Sequence, residues 1–452
     1  MIKIFFSFLL LIINYSLLIA QSGWVLQQSN VLLDLYDVRF VNSQTGFAVG
    51  DSGRVLKTTN GGTLWTYQII TQYNTHPFKS IFFINQNTGW ITGGNANGIY
   101  SLLRIFKTTD AGISWFLLYT GGGGSAGHDI FFINENTGFC GCGVYGMFTT
   151  EGGAVIKTTN GGINWFSVTP SIYNYFIFKQ VSFNNSNTGW ACGYYGDDVG
   201  YRKKIILKTS NTGINWVEQC RDTLSDYEIN SLFVIDSIRV FCSTQDGKII
   251  KTTNGGNNWI SQSSGTGRGL KSIFFININT GWIAGFQYPD TTNIMKTTNG
   301  GINWFNVRNT YSNVLTSIWF NDALTGYAVG WKYPLAYGVI LKTTTGGVTY
   351  TKEIAQIIPQ NFTLYQNYPN PFNPTTKIKF DVAPLSRGAG GVLISLKVFD
   401  ITGREIQTLV NEKLIPGTYE VIFDGSNYVS GVYFYQIKSN DFIQTKKMLL
   451  IK

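Results

Sequence analysis

The stretch KTTNGGINW occupies residues 157–165 and returns unchanged at 296–304. Five looser copies, KTTNGGTLW, KTTDAGISW, KTSNTGINW, KTTNGGNNW and KTTTGGVTY, make seven, with their lysines at 57, 107, 157, 208, 251, 296 and 342. The spacing runs from 43 residues (208 to 251) to 51 (157 to 208). A period of this size marks a fold made by stacking one small unit.

Each unit carries further markers. Upstream lies an apolar run ending in Asn or Asp: DVRFVN, SIFFIN, DIFFIN, QVSFNN, SLFVID, SIFFIN and SIWFND. A turn and a short aromatic strand follow, as in TGFAVG, TGWITG and TGWACG, with the fifth unit reading SIRVFCS instead. A third strand runs into the lysine, and a fourth follows the Trp. Four short strands form a sheet that cannot bury both faces alone, so the units must stack. Radial stacking leaves only short edges, and a linear solenoid would want polar end caps, which are not evident. The expected fold is all-β, a seven-bladed β-propeller followed by a small antiparallel β-sandwich.

The TxNGGxxW segment falls where a hairpin turn belongs. Asn160 is expected to accept a hydrogen bond from a backbone N–H two residues on, and Gly162 to supply a positive φ. Trp165 would pack back over the turn. Asn60, Asp110, Asn211, Asn254 and Asn299 hold the place of Asn160 in their copies, whereas the seventh has Thr345 there and Tyr350 for Trp. The string is therefore read as structural.

The spacing Thr158-x-Asn160-x-Gly162-x-x-Trp165 resembles the Asp-box of sialidase-like propellers. The fuller KTTNGGxxW with an upstream TGW resembles the bacterial-repeat propellers related to photosystem II assembly factors, over about residues 37–352. That resemblance implies a structural turn remote from the binding face, and relatives that act as assembly scaffolds. The segment GWVLQQ (23–28) looks like a fourth strand placed ahead of the first blade, expected to dock on blade seven and latch the ring.

Composition narrows the class. Only 13% of residues are charged and 15% are aromatic, with 51 Gly. The net charge of +9 comes without a basic run, so nucleic acid is not an expected partner. The opening MIKIFFSFLLLIINYSLLIA reads as a signal peptide (1–20), with no transmembrane segment left after cleavage. Five cysteines leave at least one unpaired, and two histidines make a zinc centre a poor reading; no metal and no cofactor are expected.

The propeller is expected at 21–352 and a linker at 353–360. Beyond it, YPNPFNPTT (368–376), LKVFDITGREIQTLV (396–410), SGVYFYQI (430–437) and the closing KKMLLIK resemble the type A C-terminal sorting domain of the type IX secretion system, covering 361–452 apart from a PLSRGAGG insert. The resemblance implies the type IX machinery as partner. It also implies a secreted or surface-attached location on a Gram-negative bacterium.

The NTG and TTNGG loops barely vary and share one face; the second-to-third loops and blade connections vary and share the other. Recognition is expected on the variable face. Tyr145, Tyr194, Tyr195, Tyr288, Trp331 and Tyr333 are the candidate ligand platforms there, for a polysaccharide or a protein. GGGGSAGH (121–128) lacks the Lys-Ser/Thr ending of a phosphate loop and reads as a flexible blade connection. No catalytic residue is assigned. The alternative is a secreted glycoside hydrolase of sialidase-like or xyloglucanase-like type, with carboxylates among Glu151, Asp197, Asp198, Asp222, Asp226, Glu228 and Asp290. The Phe/Tyr-Arg-Ile-Pro string of sialidases is absent.

Overall fold

The computed structural model describes the chain outside residues 1–20, 28–31, 71–75, 95–101, 124–125, 144–152, 170–175, 197–201, 222–226, 266, 268, 288–290, 311–312, 333–336, 354–358, 385–391, 415, 426–427 and 440–441. The expected signal peptide thus lies outside the described residues. Six sheets of four antiparallel strands follow one another along the chain. Their inner strands are Leu35–Phe40, Phe78–Phe83, Ala126–Phe132, Phe176–Phe183, Ile229–Val234 and Gly269–Phe275, opening blades 1 to 6. Blade 7 comprises Asn313–Phe320, Gly326–Lys332 and Tyr337–Glu353. Its inner strand meets that of blade 1, where Thr316 Oγ1 donates to the Leu35 carbonyl at 2.9 Å, and the ring is closed.

Burial follows position in the blade. Second strands such as Gly46–Gly50 and Gly89–Gly93 are buried along their whole length, because both faces meet neighbouring blades. Fourth strands such as Thr66–Ile69 and Ile260–Ser263 lie at the rim and are largely exposed.

The repeated turn is wired differently from the sequence expectation. The backbone N–H of Gly162, two residues after Asn160, donates to Thr158 Oγ1 at 3.0 Å. Asn160 Oδ1 accepts instead from Asn164 N, four residues on, at 3.0 Å, and from the Thr158 hydroxyl at 3.0 Å. A carboxamide reaches past the tight glycine pair, so threonine closes the inner loop and asparagine the outer one. Asn60, Asp110, Asn211, Asn254 and Asn299 repeat this geometry. Gly161 and Gly162 both sit at positive φ, 74° and 100°. Trp165 precedes the short strand Phe166–Ser167, and its indole N–H donates to the Gly162 carbonyl at 3.0 Å.

Each turn is also gripped by the preceding blade. Lys57, Lys157, Lys208, Lys251 and Lys342 donate through Nζ to Ala111, Thr212, Gly255, Gly301 and Gly61 carbonyls, one blade further on, at 2.6–3.0 Å. Trp90 and Trp282 reach the Gly161 and Gly346 carbonyls at 3.1 and 3.0 Å, and Lys107 and Lys296 lie over these indoles. The same indoles stack on Phe132 and Phe320 of the next blade at 3.6 and 3.5 Å. Two copies carry a side chain at the gripped position: Ala111 and Thr212 have φ of 58° and 57°. A Cβ in this region costs about 1 kcal/mol. Ala111→Gly is therefore expected to stabilise the protein by roughly 0.5–1 kcal/mol, read as a raised melting temperature.

Blade 7 lacks the box tryptophan, and the N-terminus replaces it. The strand Gln21–Gln27 pairs antiparallel with the third strand of blade 7, Val25 opposite Lys342 and Leu26 opposite Leu341. Within their own blades, Trp65, Trp165, Trp216 and Trp304 meet Phe40, Phe132, Phe183 and Phe275 edge to face at 5.8–6.0 Å. Trp24 makes the same contact with Phe320 at 5.6 Å and is 2% exposed. The latch expected from GWVLQQ is present, and Trp24 is its anchor. Trp24→Ala is expected to cost about 3–5 kcal/mol, seen as a marked fall in melting temperature; an unchanged value would show that the ring is held elsewhere.

The third strand of blade 7 runs on into the tail, where Thr351–Glu353 pairs with Thr418–Glu420. Strands Thr363–Leu364, Thr375–Val382 and Gly417–Asp424 form one sheet there. Val392–Phe399, Glu405–Leu414, Gly431–Ser439 and Phe442–Leu450 form the other. Between them Phe380, Val398, Phe423, Tyr435 and Met448 are fully buried. Alternating burial along Thr375–Val382 in one sheet, and along Val392–Phe399 and Gly431–Ser439 in the other, gives each its apolar face. Most of the PLSRGAGG insert lies outside the described residues.

Candidate functional site

The inner strands share a feature that none of the repeat markers describes. Each has a β-bulge, and its extra residue is Tyr36, Lys79, His128, Lys179, Asn230, Lys271 or Thr316 in blades 1 to 7. A regular strand sends adjacent side chains to opposite faces; a bulge re-aims one of them. Here the bulged residue and its successor both line the axial channel, in a cavity of about 480 Å³. The strand enters from the variable face, so the bulged residues stand at that mouth.

The successors Asp37, Ser80, Asp129, Gln180, Ser231, Ser272 and Ser317 form a hydrogen-bonded belt. Six of them, all but Ser317, accept from a backbone N–H in the next blade: Ile81, Ile130, Val181, Leu232, Ile273 and Ile318, at 2.7–3.4 Å. Ser317 closes the circle by donating to Asp37 Oδ1 at 2.7 Å. Ser80 Oγ stands 2.9 Å from Asp129 Oδ1 and 3.3 Å from Asp37 Oδ2, with one hydrogen for two carboxyl groups. Burial pushes Asp129 up to about 7, against the opposing pull of the Val181 N–H. A proton on Asp129 lets it donate to Ser80 and leaves the serine hydrogen for Asp37.

Above the belt the charge is positive. Lys79, Lys179 and Lys271 come from alternate blades at one register, so they ring the mouth on three sides, with Arg39 deeper in the channel. Burial draws Lys79 down to about 8, partly opposed by Asp51. Its Nζ lies 3.2 Å from the Tyr36 ring centre, and the Tyr36 hydroxyl donates to Asp51 at 3.0 Å. Lys271 is steadied by Gln245 at 2.8 Å, and Arg39 lies over Trp319. Burial holds His128 neutral, well below its usual range, and its Nε2–H donates to the Gly143 carbonyl at 3.1 Å.

The sequence-derived platforms fare unevenly. Trp331 lines this cavity, edge to face with Tyr36 at 6.1 Å. Tyr194 is only 3% exposed, beneath Lys179, because the second strand of blade 4 extends to Gly196 and turns the expected loop residue into sheet. Tyr195 is half-buried and stacked on Phe176 at 4.9 Å. Tyr145, Tyr288 and Tyr333 lie outside the described residues, as do all the candidate carboxylates except Glu228, which is buried. The glycine run is also mostly sheet: strands Phe116–Gly123 and Ala126–Phe132 leave only two residues between them. None of the five cysteines is in a disulfide, and only Cys220 is partly exposed.

Sequence reasoning missed the bulged lysines, although a signal existed. The second strands of blades 1, 2, 4, 6 and 7 carry Gly50, Gly93, Gly193, Gly285 and Gly330 opposite the residue before the bulge, where a Cβ would stand 1.7–2.2 Å from a carbonyl oxygen. That repeated glycine records the bulge. The Asp129 carboxyl predicts a pH dependence. Ionising near 4 when unfolded and near 7 when folded, it contributes stability fully below about pH 4 that is gone above pH 7. Asp129→Asn should flatten the decline in melting temperature over that interval, a contribution on the order of a few kcal/mol.

Ring, belt and sandwich define the class: an Asp-box β-propeller joined to a C-terminal β-domain. Residues 366–452 match the family model of the secretion system C-terminal sorting domain, which marks the chain for type IX export and an extracellular or cell-surface destination. Residues 18–120 match that of photosynthesis system II assembly factor YCF48. Among solved structures, YCF48 bound to D1 peptide is 17% identical with a TM-score of 0.52, over 72% of this chain and 97% of that one. YCF48 from Cyanidioschyzon merolae is 19% identical with a TM-score of 0.53, over 71% and 98%. The WD40 propeller domain of Doa1 is 11% identical with a TM-score of 0.50, over 71% and 97%. At such identities the likeness is one of fold. No curated protein sequence matches the chain.

Proposed function

We propose that this protein is an exported, non-catalytic binding scaffold, displayed on or released from the surface of a Gram-negative bacterium, that engages an extracellular polysaccharide or protein. The single observation that carries this reading is the charged, aromatic-lined channel mouth on the variable face. A rigid ring presents it, as binding sites on propeller scaffolds require. Two further points support the reading. Among the described residues, the carboxyl groups that line the channel, Asp37 and Asp129, are committed to the belt rather than poised over a substrate. A related fold, YCF48, is described bound to a peptide.

A glycan and protein array probed with the mature protein, run beside fluorogenic glycosides, tests the proposal. Saturable binding without turnover is expected. Turnover abolished by one carboxylate substitution on the variable face would replace the scaffold with a glycoside hydrolase. For the tail, residues 361–452 fused to a periplasmic reporter should carry it outside a type IX-competent host; periplasmic retention would reject that role.

A further inference from the structure

Three ammonium groups at one register, each on a β-bulge, crowd a single cavity that also holds Arg39. Among the described lining residues these four cations face two carboxyl groups, both in the belt below, while Asp51 and Asp34 stand beside Lys79 from outside the lining. Low-dielectric walls focus the field of the lysines on whatever enters. Bulges that re-aim side chains are concentrated beside functional sites, and seven at one level make a deliberate rim. The remaining rim groups are neutral donors and acceptors, Asn230, Thr316 and His128, with Tyr36 and Trp331 supplying ring faces. Flat rings, hydroxyls and amides beside compact point charges fit a sugar ring that bears a carboxylate. The volume of about 480 Å³ lies within the range of small-ligand sites.

We propose that the channel mouth, through Lys79, Lys179 and Lys271 with Trp331 and Tyr36, binds a uronate-type acidic sugar unit of an extracellular polysaccharide. This rests on the binding-scaffold reading and adds the ligand class and the place. The ammonium groups attract an anion electrostatically, so affinity should weaken with added salt.

The test uses the mature full chain and oligomers of galacturonate, glucuronate and mannuronate, each beside its methyl ester, which removes the charge alone. At least one free acid should bind about tenfold or more tighter than its ester by calorimetry. The Lys79→Met/Lys179→Met/Lys271→Met variant should lose about 30-fold or more, while the matching triple arginine variant stays within a few-fold of wild type. Should the methionine variant fail to keep the wild-type melting temperature, the acid-versus-ester comparison on wild type still decides. Equal binding of acid and ester, or none of any uronate, overturns the proposal. Stronger binding of polyglutamate than of every uronate overturns the sugar assignment. Neutral glycans or proteins bound in the array with no uronate binding would sink this inference and leave the scaffold reading standing. Glycoside turnover would sink that reading and leave the acidic-sugar subsite intact.

Discussion

The structure depends on one recurring grip: a donor from each blade closes on a carbonyl in the glycine turn of the next. A lysine ammonium makes the bond in five places and an indole in two, and at the closure the Tyr327 hydroxyl joins Lys342 on the Gly61 carbonyl. These carbonyls are left over by the tight turn, and buried backbone groups without partners are costly. The turn exposes an acceptor, and the neighbour supplies the donor. That explains why lysine, turn and aromatic recur as a set. A blade without a predecessor would keep an unmatched turn, and one without a successor an uncovered second strand, so the arrangement is stable only as a circle.

A circle must be joined, and the join is where the repeats depart from their pattern. Blade 7 has lost its own tryptophan, and its third strand takes Gln21–Gln27 as partner. The edge-to-face ring contact survives with Trp24 in the missing position. Aromatic pairs of this geometry add roughly 0.5–1.5 kcal/mol beyond area burial. The more important effect is topological: the first and last parts of the propeller are tied into one blade, so the ring cannot open without breaking a sheet.

Closure in turn fixes the channel. The belt from Asp37 to Ser317 passes from blade to blade without leaving the axis, so the side chains just above it stand on a rigid base. Site residues held this way bind without a large ordering cost. The repeated box turns lie at the other end, out of reach of a ligand at the mouth. Structural repetition and recognition thus occupy opposite faces of one wheel.

Much of this was legible in the chain itself. Seven boxes, their spacing and the strand-like runs around them determine the blade count, the turn positions and the N-terminal latch, because each is a local pattern of hydrogen-bonding and apolar residues. The tail is legible for the same reason. What the tertiary structure alone decided is which single letters meet. Lys79, Lys179 and Lys271 lie about 100 residues apart in an unremarkable context, and only the bulge turns them toward a common axis. Tyr194, read as a loop platform, proved to be sheet because strand ends are set by pairing partners. Local sequence dictates the unit; the axis exists only once the units close, and side chains converging on it are written nowhere in a single repeat.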